Sequence, residues 1–164
     1  MRFILSFGFM FIIKIAISQS GYTTDSASSY ISKLNWQSFG ISWNYVTKFY
    51  LRSDAKELIK MKDPSKFEKL LKNIEDSTKT VTIHSILTQS LEREKGSFKI
   101  EYLHLNDTSS AVIGTKFTYN TLQWFGNEVD GYKIEKSEIS KIQKYWSRII
   151  NSNNFPQPAT PSHP

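Results

Sequence analysis

Hydrophobic positions change their spacing several times along the chain, and each change marks an element. Residues 3–13 form an almost unbroken apolar run, followed by Lys14 and then by the small residues Ala16 and Ser18. Residues 19–29 contain almost nothing apolar and are rich in Ser and Thr, which predicts a flexible leader. From Tyr30 the apolar side chains fall mostly three or four apart, through Leu34, Trp36, Phe39, Trp43, Val46, Phe49 and Tyr50. That is helical spacing, weakened but not forbidden by Gly40. Ser53 or Asp54, with Glu57 at capping-box distance, predicts the start of a second helix. Asp63-Pro64 stops it, and Pro64 suits the first turn of a third helix whose apolar face is Phe67, Leu70, Leu71 and Ile74.

Beyond Thr78 the period becomes two. Val81, Ile83, Ser85 and Leu87 alternate with Thr82, His84 and Ile86, predicting a first strand. After the charged turn at 92–96, a second strand carries Phe98, Ile100, Tyr102 and His104 on one face and Lys99, Glu101 and Leu103 on the other. Residues 111–124 predict a third strand, and the Asp130-Gly131 turn leads to a fourth at 132–134. The aromatic-rich hairpin over 117–134 is the centre of the expected sheet. Behind Ser137, Ile139, Ile142, Trp146 and Ile149 return to helical spacing, with a short strand ending near Ile139 as the competing reading of where that helix begins. Residues 151–164 hold four of the five prolines and predict a disordered tail. One domain over 30–150 follows from this division and from the length of 164 residues.

The apolar start changes where the protein is expected to be. Arg2, the apolar run and the small residues at 16 and 18 match a cleaved secretory signal over 1–18. The run is shorter than the roughly 20 residues of a spanning helix, so no stable membrane span is expected, although an uncleaved anchor is the competing reading. Cleavage would leave 19 basic against 15 acidic residues, a mildly basic chain with scattered lysines. A solvated lysine-rich surface accounts for that charge better than a nucleic-acid site, and secretion argues against nucleic acid as a partner. The absence of cysteine excludes disulfides, thiolate metal sites and cysteine nucleophiles. Stability must therefore come from the core, which an aromatic fraction of 14% can build.

Little catalytic chemistry is legible. No His-x-x-x-His or His-Glu-x-x-His pair, paired acid spacing, phosphate loop or Gly-x-Ser-x-Gly elbow appears, so neither a metal nor a cofactor is expected. Asn106 opens the one Asn-x-Ser/Thr sequon, a glycan site in a secreted protein.

Helices followed by antiparallel strands form the α+β class, in which a curved antiparallel sheet wraps N-terminal helices. Three stretches, the 43–51 segment, the Arg52-Ser53-Asp54 step and Gln123-Trp124 followed by 130–134, resemble the nuclear transport factor 2-like superfamily, in particular its secreted nematode members of unknown function. The resemblance spans about residues 30–140 and implies a cone-like domain. It carries no implication of nuclear import, because the expected signal peptide departs from the transport factor itself. Cone-fold isomerases and cyclases place an acid–base pair in the mouth of the cone, and here the candidates are His104, Tyr102, Tyr119 and Asp130. Asp130 is sufficiently explained by its turn, and a satisfied core or rim histidine is the preferred account of His104. The expected function is therefore a secreted, non-catalytic module that binds a small apolar ligand or a protein partner. The alternative is an isomerase- or cyclase-like enzyme using His104.

Overall fold

The structure is a computed structural model, and it describes residues 26–42, 47–92, 96–104, 111–127 and 131–152. Among the described residues, five α-helices and two antiparallel sheets make an α+β domain. Helix α1 (Ser26–Lys33) is followed by a 3₁₀ turn, Trp36–Ser38, and by the hairpin β1 (Phe39–Ser42) and β2 (Lys48–Leu51). Helices α2 (Ser53–Lys60), α3 (Ser65–Lys72) and α4 (Thr80–Leu87) come next, the last running into a π-helical turn, Thr88–Glu92. Strands β3 (Phe98–His104), β4 (Val112–Tyr119), β5 (Leu122–Asn127) and β6 (Gly131–Lys133) form an open meander, and α5 (Lys136–Asn151) closes the described chain.

Helices α2 and α3 form where their sequence patterns place them, but the expected capping box of α2 is absent: its N-cap is Arg52, which makes no side-chain cap hydrogen bond. In α2, Ala55 and Leu58 point inward. In α3, Asp63 caps the start by accepting from the Ser65 amide at 2.9 Å, and Leu70 is buried. Lys66 departs from the expected solvated lysine face. Its ammonium donates to the carbonyls of Leu58 (2.7 Å), Ile59 (3.1 Å) and Met61 (2.5 Å), the free acceptors at the C-terminal end of α2. Burial lowers the pKa of this amine, with Asp63 opposing the shift.

The expected first strand is instead α4, in which every residue from Thr80 to Leu87 is buried. A helix buried on all sides has no polar face, so its sequence lacks the 3.6-residue period that would reveal it. The β-branched residues of 80–86 then imitate a strand. Ser85 Oγ donates to the Val81 carbonyl, and Thr88 Oγ1, in the π-helical turn, to that of His84, both at 2.9 Å. Helix α4 rests on α2, α3 and α5 at the centre of the helical layer.

The long helix expected from Tyr30 ends at Lys33. Asn35 accepts from the Gln37 amide at 2.7 Å and starts the 3₁₀ turn, after which the chain turns to β1 and β2. Gly40 pairs with Tyr50 across this hairpin, and a Cβ there would meet the Tyr50 ring at 2.4 Å, so the tyrosine lies across the glycine. Trp43 and Val46 lie outside the described residues. Helix α1 begins at Ser26, so residues 26–29 are helical rather than part of a leader, and Ala27 is buried.

The single expected strand over 111–124 is two strands. They turn at Asn120, whose φ of 52° is a left-handed conformation that asparagine tolerates better than most residues. Asn120 also clamps the far side of β3, its Oδ1 accepting from the Ser97 amide at 2.9 Å and its own amide donating to the Ser97 carbonyl at 2.8 Å. Helix α5 buries Ile139, Ile142, Trp146 and Ile150. No helix among the described residues is long and apolar enough to cross a membrane. The expected signal segment 1–18, Asn106, Asp130 and the tail from 153 onward lie outside the described residues.

Candidate functional site

The three candidates among the described residues, Tyr102, His104 and Tyr119, do not converge. Tyr119 is buried and pairs with Phe98, while Tyr102 and His104 are exposed near the other end of β3. Four residues separate Tyr102 from Phe98 along the strand, about 13 Å at 3.3 Å per residue. His104 follows a register shift and pairs with Val112. Burial raises the phenol pKa of Tyr119, so it is held as the neutral hydroxyl.

Aromatic rings fill the inner face of the sheet. Phe117, Trp124 and Phe98 stack on one another, with Phe117 and Trp124 centroids 5.6 Å apart at 20°. From the hairpin, Phe49 reaches Tyr119 (4.8 Å) and Phe98 (5.6 Å), and Phe39 reaches Phe49 (5.2 Å) and Trp124 (6.0 Å). The indole N–H of Trp124 has no hydrogen-bond partner among the described residues.

The other histidine in the strand-like stretch, His84, is a core group. Trp146 Nε1 donates to its Nδ1 at 2.9 Å, and its Nε2 stands 3.2 Å from the Tyr119 carbonyl. The first contact requires Nδ1 to be the acceptor, so Nε2 carries the hydrogen and donates to the carbonyl. Burial lowers the pKa to about 4; the Tyr119 carbonyl opposes this and Lys141 adds to it. The imidazole is neutral, satisfied and unreachable, a tie between α4, α5 and β4 rather than a proton shuttle.

Open space lies instead at the rim where the hairpin meets β6. Trp36, Phe39 and Tyr132 touch one another, with centroid distances of 5.3 Å for Trp36–Tyr132 and 5.4 Å for Phe39–Tyr132. With Gln37, Arg52 and Gly131 they line a groove of about 490 Å³, within the range of small-molecule sites. Local backbone explains the arrangement. The 3₁₀ turn presents Trp36 and Gln37, and the Arg52 amide donates to the Ser38 carbonyl at 2.9 Å, which brings the start of α2 against that turn. Gly131, with φ of 84°, leaves open space where a side chain would project. The Arg52 side chain is exposed and forms no ion pair with a described residue. A second, more polar depression of about 210 Å³ continues past Arg52 and Gln37 toward Lys33 and Asp54. Such a site offers flat apolar walls, a cation and an amide, and lacks a nucleophile–base pair.

Trp36 and Phe39 are read from the sequence as core positions of a helix, and Tyr132 as part of a hairpin. Only the polar residues beside the rings, Asn35, Gln37 and Ser38, mark that stretch as a rim. Among the described residues there is no cluster of three or more His, Asp or Glu able to hold a metal. Comparison with protein-family models, with curated proteins and with solved structures finds no match for this chain.

Proposed function

We propose that this chain is a secreted, non-catalytic binding module of the nuclear transport factor 2-like, cone-shaped kind, and that it takes a small ligand at the Trp36–Phe39–Tyr132 groove. The ligand has a flat apolar body that lies against the rings and an acidic group that meets Arg52. The observation that carries this reading is the groove itself: three aromatic walls beside a guanidinium with no described ion-pair partner. The filled inner face of the sheet supports a site at the rim rather than within the cone. Helices preceding an antiparallel meander support the cone-like assignment, and the apolar start of the chain supports secretion.

2-Naphthoic acid tests the site, because it offers one flat apolar body and one carboxylate. Saturable quenching of tryptophan fluorescence is expected, weakened about tenfold by Arg52→Gln through loss of a charge-assisted hydrogen bond, and weakened also by Tyr132→Ala. If the naphthoate does not saturate, or binds equally well to both variants, the groove is not the binding site.

A further inference from the structure

Strand β3 is the outer strand of its sheet. One edge pairs with β4 from Phe98 to His104, and no described strand hydrogen-bonds to the other edge. An unpaired strand edge is a template for another extended chain unless charge, proline or a bulge guards it. Here there is no proline, and the register shift falls only at Leu103/His104, at the end of the strand. Lys99, Glu101, Tyr102, Leu103 and His104 are all exposed, Tyr102 at 53%. The charged residues on this edge are one lysine and one glutamate two positions apart, which a second copy of the same strand complements.

We propose that β3 pairs antiparallel with β3 of a second copy about a two-fold axis through Ile100, making the protein a homodimer with one continuous sheet. Residues directly opposite in an antiparallel pair share a face, so a register that keeps both apolar faces on one side must centre on a residue. Centring on Lys99 sets lysine against lysine, and centring on Glu101 sets glutamate against glutamate; both are unfavourable. Centring on Ile100 sets Lys99 opposite the partner's Glu101 and Glu101 opposite the partner's Lys99. It also sets Phe98 opposite the partner's Tyr102. Glu101 already sits 2.8 Å from Lys116 on β4, so the row Lys116, Glu101 and the partner's Lys99 alternates in sign across the junction. Centring on Tyr102 provides no ion pair.

Sedimentation equilibrium of the purified protein at about 100 μM, well above a micromolar Kd, should show a dimer. Lys99→Glu and Glu101→Lys should each weaken self-association by at least about tenfold, since each replaces two attractive pairs by two repulsive ones. An equimolar mixture of the two variants should dimerise, because all four opposed positions then differ in sign. Both positions are exposed, and a wild-type far-UV circular dichroism spectrum with a cooperative unfolding transition checks that the variants fold. A monomeric wild-type protein, a dimer indifferent to both changes, or a mixture that does not associate overturns the proposal. So does a dimer that instead breaks with Val112→Asp, which would place the contact on the exposed apolar end of β4.

Discussion

Acid should loosen this protein through His84 before it reaches the carboxylates. The folded-state pKa is about 4, against about 6.5 in an unfolded chain. The unfolded state therefore binds the proton first, and stability that is complete above pH 6.5 is lost as the pH falls through the window from 6.5 to 4. The shift of about 2.5 units corresponds to about 3 kcal/mol once both states are protonated, and about 2 kcal/mol of it should already be gone at pH 5.0. Urea denaturation at pH 7.5 and pH 5.0, compared at constant m-value, measures the loss. The control is His84→Gln, whose amide can keep a donor near the Tyr119 carbonyl and does not titrate. This variant starts less stable and should show little change between the two pH values. If the wild-type protein loses less than about 0.5 kcal/mol, or His84→Gln loses as much as the wild type, then His84 is not buried neutral as the Trp146–His84–Tyr119 chain requires.

The two buried indoles should answer to substitution differently. Trp146→Phe leaves His84 Nδ1 without its donor, whereas Trp124→Phe discards an N–H that has no partner among the described residues. Trp146→Phe should therefore cost about 1–2 kcal/mol more in chemical denaturation, and equal costs would contradict the assigned tautomer. Lys66→Met keeps the aliphatic stem but leaves the carbonyls of Leu58, Ile59 and Met61 without the ammonium. A loss of about 3 kcal/mol is expected by urea denaturation, and a loss within the ordinary surface range of about 0.5 kcal/mol would mean that the ammonium does not cap α2.

Amphipathic elements were legible because one face meets solvent. Leu70 and Ile74 behind the lysines of α3, and Ile139, Ile142 and Trp146 in α5, carry the 3.6-residue period that a two-sided environment imposes. Strand β3 was legible for the same reason, and the positive φ of Gly131 from glycine's tolerance of it. The candidate groove was not legible, because its three rings come from the 3₁₀ turn, β1 and β6 and meet only after the hairpin folds. Tyr102 and His104 share a face of the expected second strand, and the β3–β4 register leaves Tyr119 at the opposite end from both.

The sequence by itself determined the α+β class, the helices that keep a polar face, the cysteine-free aromatic core and the absence of familiar catalytic spacings. Tertiary structure alone decided that 80–87 is a helix, that 39–51 contains a hairpin, and that His84 is neutral and enclosed while Lys66 is turned inward. The reason is physical. Periodicity records the contrast between water and core, and a segment surrounded by core on every side has no contrast to record. For α4, the deciding contacts are with α2, α3 and α5, which enclose it from outside its own segment, so its conformation is set by what surrounds it.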